Sequence, residues 1–292
     1  MHIGRTQSRC RDQGAVSRGV EQMPNEPTNT VVIVPGGMRG LGRAMTLALM
    51  RSGVRVAVFD LPASAADSSG LTGPADKEGL QDRLLSLHCD VTQWRQCIDG
   101  VKQTIERFGA VHGLVNNAGV GMQDIGNVLI GKRKPFFEVE ADAWRHAIDV
   151  NVNGPFNMAK AVAPHLVRQG WGRIVNIETS SYTMMMEGFS PYGPSKAALE
   201  SATVIWAKDL AGTGVTVNAL APGGPANTRM IPNSEVTDRS TLIQPETMMA
   251  PIVWLMSKRS DGATGRRIIA KEWDAERLQR ESADNVGGPA GW

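Results

Sequence analysis

Val31-Val32-Ile33-Val34-Pro35-Gly36-Gly37-Met38-Arg39-Gly40-Leu41-Gly42 joins a β-branched run to a glycine-rich turn. Four consecutive β-branched residues fit a strand buried on both faces, as in a parallel sheet. Residues 44–50, rich in Ala, Leu and Met, continue as a helix. Glycines between strand and helix tighten the turn, let backbone approach a pyrophosphate and let the helix pack on the strand. The helix N-terminus then offers N–H groups and the positive end of its dipole to phosphate. No Gly-Lys-Ser/Thr follows, which argues against a phosphate-loop NTPase.

Working outward, the same rhythm repeats. Strands are expected at 54–59, ending at Asp60, at 84–89, ending at Asp90, and at 111–116, 173–177, 215–220 and 267–270. Helices are expected over 92–108, with Thr92 as its cap, over 141–168, over 191–211 and from Pro245 to about 256. Gly170-Trp171-Gly172 ends the long helix, while 61–77, 120–137 and 222–244 read as loops. Alternating strands and helices predict an α/β fold: a Rossmann-type, doubly wound, mostly parallel seven-stranded sheet with helices on both faces. Residues 30–272 form one domain in this reading, flanked by a mobile tail over 1–29 and a polar tail over 273–292; Met23 is a second candidate start.

Composition excludes several classes. The 292 residues are 41% hydrophobic, enough for a sizeable core, and the formal charge of +2 is too small to argue for nucleic acid or an acidic membrane. Lys132-Arg133-Lys134 is the one short basic run, best explained as a solvated loop. Cys10, Cys89 and Cys97 form neither a disulfide framework nor a metal-binding spacing, so no metal is expected and a reducing, cytoplasmic setting is. No apolar stretch reaches membrane-spanning length, and the N-terminus lacks a secretory signal.

Two features carry chemistry. Asp60 ends the second strand eighteen residues after Gly42, where a carboxylate accepts from both ribose hydroxyls of an adenosine and repels a 2′-phosphate. This favours NAD over NADP, although Arg39 could meet such a phosphate. Tyr192 and Lys196 lie four residues apart on one helical face, so an ammonium sits beside a phenol. A nearby cation favours phenolate, making the phenol a usable acid/base.

Gly36-x-x-x-Gly40-Leu41-Gly42, Asp90-Val91, Asn116-Asn117-Ala118-Gly119, Asn151 in Val-Asn-Val-Asn-Gly, Tyr192-x-x-x-Lys196 and Pro222-Gly223 follow in order. Together, over about 30–270, they resemble the short-chain dehydrogenase/reductase family. The resemblance implies one Rossmann-type domain, a nicotinamide cofactor, a small alcohol or ketone substrate and a homotetramer or homodimer. It implies that Tyr192 is the acid/base, with Lys196 lowering its pKa and holding the nicotinamide ribose. Asn151 would hold the long helix open around a proton-relaying water. Gly36, Arg39, Gly40, Leu41 and Gly42 would cradle the cofactor. Asp90 would bind the adenine edge with Val91 beside it, Asn117, Ala118 and Gly119 would lie along the cofactor, and Pro222, Gly223 and Thr228 would flank the carboxamide.

The chain departs from the family pattern at several points. Thr179, thirteen residues before Tyr192, stands where the family has a serine; its hydroxyl is the expected contact to substrate oxygen, with Ser180 as the alternative. Pro35 replaces a threonine and removes one N–H from the turn. Residues 120–137, 180–190 and 224–243 should line the substrate pocket, with Met184, Met185, Met186 and Phe189 suited to an apolar or ring-bearing substrate and Lys132 or Arg133 to a carboxylate. Residues 229–243 suit a mobile lid. The expected reaction is reversible hydride transfer between NAD(H) and a secondary alcohol or ketone. An epimerase or dehydratase on the same scaffold and a dinucleotide-sensing binding protein are the other readings. A methyltransferase would have no use for Tyr192 and Lys196.

Overall fold

The computed structural model describes residues 29–62, 69–128, 131–276 and 282–291. The expected tail over 1–29 lies outside them but for its last residue. Strand β1 (Val31–Pro35) is wholly buried and leads through the glycine turn into α1 (Gly40–Arg51). Strands β2 (Arg55–Asp60), β3 (Leu84–His88), β4 (Gly113–Asn116), β5 (Gly172–Ile177), β6 (Val215–Ala221) and β7 (Arg266–Ile269) follow. All run parallel in the order β3-β2-β1-β4-β5-β6-β7. The order reverses between β1 and β4, so the carboxyl ends of those two strands open the crevice where such sheets bind ligands.

Helices cover both faces. On one, α1 packs against α8 (Met249–Leu255), and Met45, Leu49, Met50, Ile252 and Leu255 are fully buried beneath them. On the other, α3 (Trp94–Phe108), α5 (Gly154–Gln169) and α7 (Tyr192–Asp209) cover a core that includes Phe59, Leu114, Met158 and Ile174. Apolar groups at helical spacing face these cores, so burial, at roughly 25 cal/mol per Å² of apolar surface, favours this one arrangement.

Three expectations are corrected. Residues 69–77, read as loop, form helix α2 (Ser69–Lys77) despite two glycines and Pro74, because Leu71 and Ala75, four apart, are buried against the first core. Thr92 does not cap α3: Gln93 holds that position, and the Thr92 hydroxyl donates to Asp90 Oδ1 at 2.8 Å. Beyond 273 the chain adds an eighth strand, β8 (Gly288–Pro289), antiparallel to β7. Val286 is buried there, and Arg266 Nε donates to its carbonyl at 3.0 Å. Cys89 and Cys97 are both free and buried, and the Cys97 thiol donates to Val91 O at 3.4 Å. Among the described residues no helix is long and apolar enough to cross a membrane.

Candidate active site

The site begins at the glycine turn. A Cβ on Gly42 would lie 2.2 Å from the Gly36 carbonyl oxygen, so only glycine permits this closure. Gly36 itself has φ +70°, in the left-handed region. Pro35 costs little: the next N–H, Gly36, bonds Phe59 O at 2.7 Å and continues the ladder. The first intrahelical bond of α1 runs from Arg43 N to Arg39 O, so the N–H groups of Gly40, Leu41 and Gly42 precede it and point out of the helix end. Arg39 is the N-cap residue and makes no side-chain cap. Asp60, at the end of β2, accepts from Met38 N (3.2 Å) and Leu61 N (3.0 Å), which fixes its carboxylate beside the turn.

Asn117 braces the turn. Its amide donates to Pro35 O (3.1 Å) and Gly36 O (2.9 Å), stapling β4 to the turn. Asp90 Oδ1 accepts from Thr92, and Val91 is buried between Cys97 and Asn157, both of which bond its carbonyl. Pro222 accepts from Lys271 N at 3.1 Å, and Gly223 takes φ +96° against Lys271 and Ile269. The methyl of Thr228 lies 3.1 Å from the point a Cβ on Gly40 would occupy, bringing this loop onto the glycine turn. Residues 229–243 are held more firmly than a lid requires. Arg239 bonds Asn227 Oδ1 (2.7 Å), Thr228 O (2.8 Å), Ile231 O (3.0 Å) and Asn233 Oδ1 (2.9 Å).

The proton-handling half sits beyond the carboxyl end of β5. The long expected helix is present as α4 (Ala141–Ile148) and α5 joined by one π turn, Asp149–Asn153. A π turn widens the helix and often marks a functional site. Asn151 in that turn is fully buried; its amide donates to Val120 O and Ser195 Oγ, each at 3.0 Å, and its oxygen accepts from Val120 N at 2.9 Å. Lys196, 7% exposed, donates to Ile177 O at 2.8 Å. A Cβ on Gly119 would lie 3.1 Å from Asn151 Oδ1 and 4.0 Å from Lys196 Nζ, so its absence keeps the space between them open.

The Thr179 side chain neighbours the Tyr192 hydroxyl. Ser180 is used elsewhere: its hydroxyl caps the short helix α6 (Ser181–Met184), accepting from Thr183 N at 3.1 Å. The phenol is not acidified as expected. Burial, and then the nearby Glu178 carboxyl, push Tyr192 up to about 12, with Thr179 acting in the opposite direction. Burial also pushes the Lys196 ammonium down, and Glu178 opposes this.

Sequence reasoning missed Glu178, Glu200 and Arg267. Glu178, 3% exposed, is pushed up to about 8 by burial, with Lys196 opposing and Glu200 adding. Neither of its carboxylate oxygens has a hydrogen-bond partner among the described residues. Arg267 bonds Glu200 at 2.5 Å and also donates to the Thr179 carbonyl. The available signal was an acidic residue directly after the expected strand 173–177.

A groove of about 460 Å³ lies beside the site, lined among others by Phe136, Phe137, Met184, Met185, Met186 and Phe189. Residues 135–137 and 184–190 thus meet there as expected; 224–243 take no part in it. Arg133 stacks 4.6 Å from the centre of the Phe189 ring.

Known proteins share this plan. A solved dehydrogenase/reductase from Sinorhizobium meliloti 1021 superposes with a TM-score of 0.71 at 25% identity, covering 82% of this chain and 92% of its own. An acetoacetyl-CoA reductase of Shinella zoogloeoides is 30% identical over 82% of this chain and 96% of the relative. A 3-oxoacyl-acyl-carrier-protein reductase of Thermotoga maritima is 28% identical over 82% and 94%. A sorbitol-6-phosphate 2-dehydrogenase of Klebsiella pneumoniae is 33% identical over 67% and 68%. The sequence model of the short chain dehydrogenases matches residues 30–238, and the chain belongs to that family.

Proposed function

We propose that the protein is an NAD(H)-dependent oxidoreductase interconverting a secondary alcohol and a ketone. The observation that carries this reading is Tyr192 and Lys196 one turn apart on α7, with Lys196 held at Ile177 O beside Asn151 and the open space at Gly119, and Thr179 neighbouring the phenol. A nicotinamide dinucleotide, when bound, supplies or accepts the hydride. The chain's own residues do the rest. The N–H groups of Gly40, Leu41 and Gly42 hold the pyrophosphate, and Asp60 the adenosine ribose. Asp90 and Val91 flank the adenine, while Ala118, Gly119, Pro222, Gly223 and Thr228 line the path to the nicotinamide. Thr179 holds the substrate oxygen, Tyr192 gives or takes its proton, and Lys196 stabilises the charge that develops. Asn151 holds the π turn open beside Lys196.

The names of the relatives point to the same chemistry: 3-oxoacyl and acetoacetyl groups carry ketones, and dehydrogenation at carbon 2 of sorbitol 6-phosphate acts on a secondary alcohol. The methionine-rich groove suits a substrate with an apolar body. Exposed Trp94, Ile98, Phe156 and Ile205 on α3, α5 and α7 suit a homotetramer or homodimer. The two neighbouring free thiols suit a cytoplasmic setting. The test is a panel of alcohols and ketones followed by the absorbance of reduced nicotinamide. Turnover without net redox change would instead indicate an epimerase or dehydratase.

Asp60 carries the preference for NAD over NADP. A like-charge contact near 4 Å is worth about 1–4 kcal/mol across dielectrics from water to a protein surface, or roughly 10- to 100-fold and above in affinity. Asp60→Ala should therefore move the ratio of NAD(H) to NADP(H) affinity toward NADP(H) by about 10- to 100-fold, as read by calorimetry. An unchanged ratio would remove Asp60 from this role.

A further inference from the structure

We propose that Glu178 is a positioning residue that keeps Tyr192 protonated, and so biases the site toward its acid role, ketone reduction. This rests on the oxidoreductase reading above and goes further, by assigning a direction and a residue to set it.

The argument starts from position. Ile177 ends β5, and the Glu178 N–H still bonds Leu220 O of β6 at 2.9 Å. The sheet therefore fixes its backbone, one residue before Thr179. The carboxyl is sealed from water and has no hydrogen-bond partner among the described residues. Buried polar groups are normally satisfied, so an unsatisfied one calls for an explanation.

Charge counting supplies it. Two cations bond the backbone on either side of Glu178, Lys196 at Ile177 O and Arg267 at Thr179 O; Arg267 also bonds Glu200, and Tyr192 lies one turn before Lys196 on α7, within reach of the Glu178 charge. The π turn contributes uncharged Asn151, and the segment before α7 contributes the Phe189 ring, 6.4 Å from that of Tyr192. Once Glu178 is ionised, above about pH 8, two carboxylates against two cations are balanced while Tyr192 keeps its proton. Ionising Tyr192 would then place three negative charges against two positive ones, an unfavourable state. The cations are also committed: Arg267 to Glu200 and the Thr179 carbonyl, Lys196 to Ile177 O. Glu200 is satisfied further by Gly291 N at 2.9 Å. Glu178 is the one member without a fixed partner, and its charge acts on Tyr192 through space.

The protein offers a direct test, because it contains two tyrosines, Tyr182 and Tyr192. Tyr182 is 72% exposed, and Tyr182→Phe leaves Tyr192 as the sole tyrosine. Tyrosinate absorbance is then titrated with pH, with circular dichroism marking the native range. In that background Glu178→Gln should bring tyrosinate formation to lower pH by about one unit or more, and Glu178→Asp, which keeps the carboxyl, should stay near the parent. In ketone reduction with NADH the alkaline fall in kcat/KM should move down by the same amount. A purely structural role would lower rates at all pH values without moving either midpoint. Coincident titrations of the parent and the Gln variant, or no tyrosinate in the Gln variant before it unfolds, would overturn the proposal. Those outcomes, together with loss of turnover in Tyr192→Phe, would leave the oxidoreductase reading intact. Full turnover in Tyr192→Phe would remove that reading itself.

Discussion

Tyr192→Phe should lower turnover about 10²- to 10⁴-fold, the usual worth of a positioned acid/base, while NAD(H) affinity changes little. Phenylalanine keeps the ring and its packing against Phe189 and loses only the hydroxyl beside Thr179. The groups assigned to the adenosine and pyrophosphate, from Gly40 to Asp90, lie on β1, β2, β3 and their turns and do not depend on that hydroxyl. The pH dependence follows from the phenol standing near 12 in the free protein. Reduction needs the protonated phenol and should hold through neutral pH into the alkaline range. Oxidation needs phenolate and should climb with pH, up to tenfold per unit well below the midpoint. Rates in both directions and a calorimetric titration with NADH check this. An undiminished rate in Tyr192→Phe would remove the residue from the chemistry, and lost NADH binding would place it among the cofactor contacts.

Much of the fold was legible because two physical signals are strong. The β-branched run 31–34 and the valine-rich segment 54–58 mark strands of the buried sheet, and they alternate with helical patterning. The glycine turn is also self-evident: Gly42 tolerates no side chain for a steric reason independent of any ligand. What escaped had weak local signals and strong tertiary ones. Helix α2 carries glycines and an internal proline, yet two buried side chains set four apart decide its state. Strand β8 is two residues long and is held by Arg266 and by Gly265, whose carbonyl accepts from Ala290 N at 2.8 Å. No local propensity announces such a contact.

The site was legible to the extent that its spacing is local. Tyr192 and Lys196 fall on one helix, and Asn151 lies in a π turn whose widening matches its expected task. Asn117, expected along the cofactor, also ties β4 to the turn, a tertiary bond its sequence position does not announce. The larger difference concerns electrostatics. A phenol beside an ammonium is expected to be acidic, but that inference takes the pair as isolated. Here burial dominates, and Glu178, Glu200 and Arg267, brought in by β5, α7 and β7, surround the pair. Glu200, four residues after Lys196 on α7, was within reach of the same spacing rule, whereas Arg267, 67 positions from Glu200, was not.

Lys196→Met should cost turnover about 10²- to 10³-fold, the scale for removing one preorganised donor from a developing charge. Methionine keeps much of the apolar stem and takes away the ammonium. Combined with Tyr192→Phe, the loss should not multiply, because groups acting on one proton fail together. Stability should change with a definite sign. The Ile177 carbonyl loses its donor, a cost of about 1–3 kcal/mol at any pH, partly offset because no ammonium need then be buried. Glu178 loses its nearest opposing cation, leaving Arg267. Its carboxyl, already near 8 in the intact site, then holds its proton more firmly still. A folded-state value raised above the unfolded one gives stability that is complete at low pH and is lost as pH rises through the folded value. The variant should therefore fall away from the parent most steeply above about pH 8, with a slope of at most ~1.4 kcal/mol per pH unit. Urea denaturation at mildly acidic and at alkaline pH measures it, and Lys196→Met with Glu178→Gln should abolish the slope. A stability gap that stays constant with pH would mean that Lys196 and Glu178 do not share the charge of this site.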